Sequence, residues 1–419
     1  MYAAWLHPVP DSAGQLSSPH DNTQTGPVGA LNRWLILAGY ALVTASTQLL
    51  WITYAPIANE SAAALHTSVA NVGWLSAIFQ LIYILLALPT GRWLDQRFAA
   101  ALRFGAVMLG VGALLRLVGP HSFGWQLAGQ IAVAVSQPLV LNALTGIGTR
   151  YFPASERPTA IAIGSASIFL GILLATFSGP ALYQTGGMVL VLGIQAIPAL
   201  FGVVWLLLAL RTPAPYADLA GNDPQGLRWL LRDRFMWRLG GLLFLGFGIF
   251  IALSTWMEAV LGYFGVSSLA SGNLLGAMVF AGILGSALLP PLVAGHDRRR
   301  SLMVLALLLS GAALAAIAWR HGLPWLASWL FLAGFFLLST LPVVLEWAEQ
   351  HAGVSRQGSA VGFLMLLGNA GGLVLVLVLQ GLIGEPYKPL LVLGVATLIG
   401  LPLALGLPAR LSNTSPLTP

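Results

Sequence analysis

The chain has 419 residues, of which 57% are hydrophobic and 8% are charged, and its formal net charge is +6. A soluble domain carries about 25% charged residues, so this composition excludes a water-soluble fold and predicts an integral membrane protein. The chain contains no cysteine, which excludes disulfides and thiolate metal sites. We expect no bound metal and no cofactor.

Two polar segments divide the chain. Residues 1–32 are rich in Pro, Ser and Gly and lack the apolar run of a signal peptide, so they predict a disordered tail. Residues 211–237 predict a linker in the middle of the chain. Within and just beyond it, residues 227–239 alternate Arg with apolar residues at helical spacing. This stretch predicts either a helix lying at the headgroup level or an arginine-flanked start of the next span.

Apolar runs of about 20 residues recur between these segments, the length that crosses a hydrocarbon core of roughly 30 Å. Because irregular backbone cannot face lipid without hydrogen-bond partners, each run must be a helix. We predict an all-α membrane protein of twelve spans in two pseudo-symmetric six-helix bundles, 33–210 and 238–408, followed by a C-terminal tail, 409–419. Spans 1 to 12 are 34–57, 70–93, 100–118, 123–148, 158–179, 188–210, 238–263, 269–293, 301–319, 323–346, 357–382 and 388–408.

The basic residues are distributed unevenly between the two sides of this arrangement. Sixteen of the nineteen lie on one side, and the three on the other are Arg116, Arg320 and Lys388. Since Lys and Arg are retained on the cytoplasmic side, we expect both termini in the cytoplasm of a multi-pass cell-membrane protein, at the inner membrane if the source is bacterial. The net charge then reports topology, so the expected partners are the lipid bilayer and a small solute, without nucleic acid, and the chain is expected to be monomeric.

An internal repeat supports the division into two halves. Residues after span 2 and around span 5 recur at equivalent places after span 8 and around span 11. The pairs are Pro89 and Pro291, Asp95 and Asp297, Arg97 and Arg299, Ser155 and Ser355, and Gly171 and Gly371. Two six-helix halves with a solute site between them are a recurring plan of secondary transporters.

The loop between spans 2 and 3 reads GRWLDQR over residues 91–97. It resembles the signature loop of the major facilitator superfamily, in which a glycine stands four residues before an acid that basic residues follow. Asp95 precedes the third helix, where a carboxylate can cap free N–H groups. The alternative is a solvated loop acid. The predicted gating loop and its repeat consist of Gly91, Asp95, Arg97, Asp297 and Arg299.

A closer resemblance lies in RWL at 33–35, WITYAPI at 51–57 and WLS at 74–76. These segments resemble the opening helices of the feline leukaemia virus subgroup C receptor-related branch of the superfamily, whose members are associated with choline, ethanolamine or haem transport. Weaker similarity is visible at Ser136-Gln137, in Gly248–Glu258 and in Gly358–Gly372. The resemblance implies a secondary transporter that moves a small organic solute by alternating access, such as a cationic amine.

Polar and aromatic side chains form a stripe on one face of spans 1, 2 and 7. In a lipid-exposed helix a polar stripe costs free energy, so it must face protein or water. The stripes predict a substrate pathway, to which the resemblance adds one residue each on spans 4 and 11. Helix–helix hydrogen bonding without solute contact is the alternative. The predicted pathway residues are Gln48, Trp51, Tyr54, Gln80, Tyr83, Gln137, Ser254, Thr255, Glu258 and Asn369.

Glu258 is the one carboxylate that lies clearly inside a predicted span, where a charge costs roughly 2.5 to 3.5 kcal/mol. It predicts either a proton carrier or cation partner, or a structural or vestibule acid. The resemblance implies that Trp51 and Gln137 hold a cation, whereas an aromatic of helix seven is replaced by Ile251 and a glutamine of helix eleven by Asn369. We interpret the Glu258 carboxylate as a substitute for the lost ring, with a different substrate as the competing interpretation.

Other function classes are less well supported. Ser178-Gly179-Pro180 ends span 5 and faintly resembles the motif of proton-coupled drug antiporters, so a proton-coupled multidrug or metabolite efflux antiporter is the alternative to an amine transporter. A transport-inactive receptor or sensor would have the same sequence features. An enzyme would need clustered catalytic groups, and a primary pump would need a nucleotide-binding loop. Neither is present in the sequence, so we predict a transporter and not an enzyme.

Overall fold

The computed structural model describes residues 27–153, 155–216, 229–294, 298–352 and 357–408. Throughout these ranges the regular structure is helical, as the composition predicts. A 3-10 helix, Ala55–Ile57, lies between α1 and α2. The α-helices are α1 Pro27–Trp51, α2 Ala58–Ala64, α3 Val69–Val118, α4 Phe123–Leu141, α5 Leu144–Tyr151, α6 Arg157–Ala209, α7 Arg234–Gly262, α8 Ser268–Ala294, α9 Arg299–Trp319, α10 Leu323–Ala352, α11 Gln357–Gln380 and α12 Lys388–Leu405.

Ten segments of the described chain are long and apolar enough to cross a membrane, and one of them, Thr159–Ala209, has 51 residues. That length is twice what one crossing needs. It is interrupted at Gly186 and Gly187, and Gly187 has a φ of 62°, a conformation that favours glycine. The α6 helix therefore contains spans 5 and 6, and α4 with α5 corresponds to span 4. Each predicted span has a helical counterpart, so the all-α membrane fold is confirmed.

Three helix boundaries refine the sequence prediction. The α1 helix begins at Pro27, inside the predicted N-terminal tail. The α3 helix has non-helical backbone at Arg97, which separates spans 2 and 3. The α7 helix begins at Arg234, and the Asp233 carboxylate caps it by accepting two backbone N–H groups. Residues 229–233 are not helical, so the described part of 227–239 matches the arginine-flanked start of span 7; residues 227–228 lie outside the described chain.

The internal repeat corresponds to equivalent helix contacts in the two halves. A Cβ atom on Gly171 in span 5 would overlap the carbonyl oxygen of Ala45 in span 1. In the second half, a Cβ atom on Gly371 in span 11 would overlap the carbonyl oxygen of Phe244 in span 7. Small residues allow membrane helices to approach this closely. The repeated glycines thus mark the same packing of fifth on first span in each half.

Span 1 is broken where its predicted substrate-pathway residues lie. The α1 helix ends at Trp51, and helical structure resumes only at Ala55 and then in α2. Pro56 has no N–H group with which to continue the helical hydrogen bonds. The Thr53 hydroxyl lies 3.2 Å from the Leu49 carbonyl oxygen and 3.0 Å from that of Leu50. Non-helical backbone at membrane depth is tolerated only where it is buried in protein in this way.

The two ends of the bundle differ in how they join the halves. We call the end with Asn59, Glu258 and Ser268 the gate end, and the end with Arg97 and Arg299 the basic end. Hydrogen bonds between described residues of the two halves all lie at the gate end. Ion pairs at the basic end stay within one half. The gate end is therefore closed in this conformation.

Candidate substrate pathway and gate

The centre of the gate is a contact between Asn59 in the first half and Glu258 in the second. The Asn59 backbone N–H donates to Glu258 Oε2 at 3.1 Å, and its side-chain amide donates to Oε1 at 2.7 Å. Asn59 lies in the first turn of α2, whose N–H groups have no partner within the helix. The Glu258 side chain, 3% exposed, thus caps a helix of the opposite half and places negative charge at the positive end of its dipole.

A second carboxylate lies beside this contact. The Ser268 hydroxyl, at the start of α8, donates to Glu60 and lies 3.4 Å from Glu258 Oε1. The Tyr183 hydroxyl donates to the Glu60 carbonyl oxygen at 3.2 Å and ties α2 to span 5. The gate therefore contains two carboxylates separated by one hydroxyl, and its contacts join spans 1, 7 and 8.

Trp256 seals the seam between the halves below the gate, a role that the sequence did not suggest. Its side chain is buried, its indole N–H donates to the Val376 carbonyl oxygen at 3.0 Å, and its ring covers Gly73 of span 2 so closely that a Cβ atom there would overlap it. Trp256 stands between the polar stripe residues of span 7, where it looked like one of many apolar positions. The one signal in the sequence was Gly73 of span 2, a small residue that leaves room for a large ring. No local pattern links Gly73 to Trp256.

Trp51 of span 1 packs against span 2. Its indole N–H donates to the Ser76 carbonyl oxygen at 3.3 Å, and its ring centroid lies 6.3 Å from that of Phe79. Gln80, one helical turn beyond Ser76, is buried, and its Oε1 atom has no hydrogen-bond partner among the described residues. The end of α1 thus presents an aromatic ring to span 2, and span 2 also carries a buried amide oxygen without a partner among the described residues.

The remaining pathway residues are buried within their helices. Gln48 donates to Thr47 at 3.2 Å, Thr255 donates to the Ile251 carbonyl oxygen at 2.9 Å, and Asn369 donates to that of Met365 at 2.8 Å. Gln137 and Ser254 are buried as well, and the Ser254 hydroxyl has no partner in the described chain. These local bonds hold the side chains while leaving amide and hydroxyl oxygens able to accept further bonds.

Two residues of the predicted pathway, Tyr54 and Tyr83, bind other side chains of the first half. The Tyr54 hydroxyl donates to Gln126 at 2.5 Å, and the Arg116 guanidinium lies over the Tyr54 ring at 5.3 Å from its centroid. The Tyr83 hydroxyl donates to Asn142 of span 4 at 2.7 Å. The face of the Tyr54 ring that could receive a cation is thus covered by Arg116. Trp51 is the other aromatic residue at the break.

Arg116, one of the three basic residues counted on the non-cytoplasmic side, is buried in the protein. It lies in the last turn of span 3, as the predicted bounds 100–118 imply, but its side chain is only 2% exposed. Its guanidinium donates to Thr53 Oγ1 at 2.7 Å and to the Leu50 carbonyl oxygen at 3.4 Å. The sequence could not show this, because both acceptors become available only through the break in another helix.

The predicted gating loop is described only in part. Gly91 lies in α3 with open space around it, and Arg97 is exposed at the break of that helix. The Asp95 side chain and all of Asp297 lie outside the described residues, so the Asp95 cap stays a prediction. Arg299, the repeat of Arg97, is buried and pairs with Glu346 of span 10 at 3.3 Å.

Helices in two related halves, joined at one end by a polar gate, define a polytopic membrane transport protein. A profile of the Major Facilitator Superfamily matches residues 36–375 and 258–417. The chain belongs to this superfamily. It is accordingly a membrane transporter and not an enzyme, as the sequence predicts.

Similar proteins also confirm the branch that spans 1 and 2 indicate. Solute carrier family 49 member A3 of Danio rerio is 28% identical over 378 residues, which cover 85% of this chain and 80% of that protein. The choline/ethanolamine transporter FLVCR2 of Homo sapiens is 25% identical over 391 residues, covering 85% and 72%. The choline/ethanolamine transporter FLVCR1 of Mus terricolor is 23% identical over 396 residues, covering 85% and 70%.

Proposed function

We propose that this transporter moves a small cationic amine, of the size of choline or ethanolamine, by alternating access of its two halves. The observation that carries the proposal is the position of Trp51, buried at the end of α1, beside Phe79 and next to the break. An aromatic face attracts an ammonium group by about 0.5 to 2 kcal/mol. The names of the similar FLVCR proteins point to the same class of substrate.

The charges at the gate support a cation over an anion. Glu60 and Glu258 lie together at the seam between the halves. Neither of them forms an ion pair with Arg or Lys within the described ranges. Carboxylates in a cleft with low-dielectric walls raise the local concentration of cations. A cationic substrate would therefore be drawn to the place where the halves part.

Glu258 connects this attraction to the gate. In the closed conformation both of its carboxylate oxygens accept hydrogen bonds from Asn59. Opening the gate breaks these bonds and frees the carboxylate for a cation, so the gate contact and the substrate contact exclude each other. A ligand that binds one conformation better shifts the population toward it. In this scheme Glu258 compensates for the aromatic ring that Ile251 replaces.

The proposed orientation places the basic end and both termini in the cytoplasm and the gate end on the other side of the cell membrane. Sixteen basic residues lie on the side assigned to the cytoplasm, and three lie on the gate side. Of these three, Arg116 is buried. With Arg116 buried, Arg320 and Lys388 are the basic residues left on that side to set against the sixteen, which supports the proposed orientation. Accessibility of single cysteines at Asn32 and Arg320 in intact cells tests it.

The test of function is uptake of radiolabelled choline, ethanolamine and an amine drug into proteoliposomes. We expect saturable uptake by the wild type and a KM raised about 2- to 30-fold by Trp51→Ala, the range that a cation–aromatic contact represents. Trp51→Phe should retain part of the affinity. Trp319→Ala, at an 82% exposed tryptophan, is the matched control and should transport like the wild type.

Three outcomes would count against the amine proposal. The first is that the wild type, reconstituted as monodisperse protein, moves none of the three cations. The second is that Trp51→Ala and Glu258→Gln both transport as well as the wild type. Choline competition by a neutral isostere of equal size would also count against recognition of the charge.

Proton-coupled antiport is the second candidate function. The observation in its favour is the pair of carboxylates, Glu60 and Glu258, that meet at the Ser268 hydroxyl. Pro180, in the antiporter-like segment of span 5, also packs on Gly272 across the seam. A pH gradient distinguishes the two functions: antiport should depend on its direction and be lost in Glu258→Gln, whereas uniport should ignore it.

A further inference from the structure

Arg116 is a buried charge without a carboxylate partner among the residues that the structure describes. It lies in the last turn of span 3 with 2% exposure. The ion pairs between described residues involve other groups, Arg33, Arg299, His351 and Lys388. A charged side chain inside a membrane is costly and marks function more often than not. Its role must come from what the guanidinium contacts.

The guanidinium spans the break in span 1. One of its nitrogens donates to the Leu50 carbonyl oxygen at 3.4 Å, before the break, and the other donates to Thr53 Oγ1 at 2.7 Å, within it. Its Cζ atom also lies over the ring of Tyr54, 5.3 Å from the centroid, and Tyr54 is the last residue before helical structure resumes. A planar, always charged fork can make these contacts together, whereas an ammonium group cannot.

Neighbouring glutamines extend the clamp to other helices of the first half. Gln126 of span 4 donates to the Arg116 carbonyl oxygen at 2.9 Å and accepts from the Tyr54 hydroxyl. Gln130 of the same span donates to the carbonyl oxygens of Leu50 and Leu75, each at 3.2 Å. Gln195 of span 6 accepts from Thr53 at 2.5 Å. Spans 3, 4 and 6 therefore hold the broken segment from one side.

The clamped segment connects the two parts of the proposed site. Trp51 stands immediately before it, against span 2, and Asn59 stands beyond it, bonded to Glu258 of the second half. The bend at Ile52–Tyr54 therefore fixes where the gate residue lies relative to the substrate aromatic. Loss of the clamp would let these two parts of span 1 move independently.

We propose that Arg116 is a positioning residue: it fixes the bend of span 1 and so couples substrate contact at Trp51 to closure of the Asn59–Glu258 gate. The inference rests on the proposed function for its substrate, but the gate geometry can be measured without any substrate. It assigns the buried arginine to coupling within the transport cycle and not to binding of the solute.

The test uses introduced pairs of cysteines, because the native chain contains no cysteine that would also be labelled. Spin labels at Ala63 in the first half and Tyr263 in the second, both exposed at the gate end, report the gate distance by pulsed electron resonance. The variants are Arg116→Met, Arg116→Lys and Thr53→Val, which removes one acceptor at nearly constant shape. Arg320→Met, at an exposed arginine, is the matched control.

We expect Arg116→Met to raise the population of long gate distances by about tenfold, the change that loss of one hydrogen bond to a charged group represents. Thr53→Val and Arg116→Lys should give intermediate shifts, and Arg320→Met none. In the wild type, added choline should change the gate distance. In Arg116→Met, added choline should leave it unchanged. A merely structural role would lower the yield of folded protein and leave these readouts unchanged.

The proposal is overturned if folded, monodisperse Arg116→Met and Thr53→Val both keep the wild-type distance distribution. Should Arg116→Met fail to fold, Thr53→Val alone decides the outcome. If the wild type moves no amine but the distances shift as expected, the proposed substrate is wrong while the clamp stands. The two proposals can therefore fail separately.

Discussion

Gly272 of span 8 gives the sharpest test of how the gate end closes. A Cβ atom at this position would lie 2.6 Å from the Thr176 carbonyl oxygen and 2.7 Å from Pro180 Cγ, both in span 5 of the other half. A backbone carbonyl and a proline ring cannot rotate away. The substitution Gly272→Ala therefore requires spans 5 and 8 to separate wherever the gate end is closed.

The magnitude follows from comparing the two conformations. Overpacking by one methyl group costs about 1 to 3 kcal/mol, and here it acts only in the closed conformation. Alanine also favours the helix over glycine by about 1 kcal/mol, but this gain is present in both conformations and cancels. The expected shift of the equilibrium toward the open gate is therefore about 5- to 150-fold.

Spin labels at Ala63 and Tyr263 measure this shift directly. Gly193→Ala in span 6 is the control, because nothing lies within 4 Å of its added Cβ atom. We expect longer gate distances for Gly272→Ala and an unchanged distribution for Gly193→Ala. A folded Gly272→Ala protein whose distances match the wild type would falsify the assignment of this seam as the closing contact.

Two further predictions concern stability. Gly371→Ala should lower the Tm in detergent, because its Cβ atom would overlap the Phe244 carbonyl oxygen within one half, whereas Gly394→Ala, which has open space, should leave the Tm unchanged or raise it. Burial alone would raise the pKa of the Asp233 carboxyl, but the hydrogen bond to His351, 2.7 Å long, and two backbone N–H groups of α7 reverse this and hold the pKa below its usual range. This group therefore stabilises the fold above the unfolded pKa of about 3.9, and the contribution is lost as the pH falls through the folded value. Asp233→Asn should flatten the acid limb of a Tm–pH profile; an acid limb like that of the wild type would contradict the assignment.

Local rules in the sequence predict most of the fold. The helices follow from apolar runs of membrane-spanning length, and the two halves follow from a repeat that includes Gly171 and Gly371. These two glycines have equivalent contacts in the structure. Such features depend on the bilayer and on single helices, and both act on residues that are near one another in the chain.

The candidate site could be predicted only in part, because a stripe fixes a helix face but not its partner. Trp51 donates to the Ser76 carbonyl oxygen of span 2, and both stripe residues, Trp51 and Gln80, are buried. Tyr54 shares the stripe, yet the break of span 1 turns it into the first half, where Arg116 covers it. For Glu258, the sequence left a proton or cation partner and a structural acid open, and its bonds to Asn59 place it in the gate.

Composition alone determined that this chain must lie in a membrane, since 8% charged residues cannot cover a soluble surface. Span length, the distribution of Arg and the repeat then predicted the transporter plan. Only the tertiary structure decided which side chains meet across helices: Asn59 with Glu258, Trp256 with Gly73, and Arg116 with the break in span 1. The physical reason is that each contact pairs residues far apart in sequence, and its energy depends on a helix end or backbone group that only the folded neighbours expose.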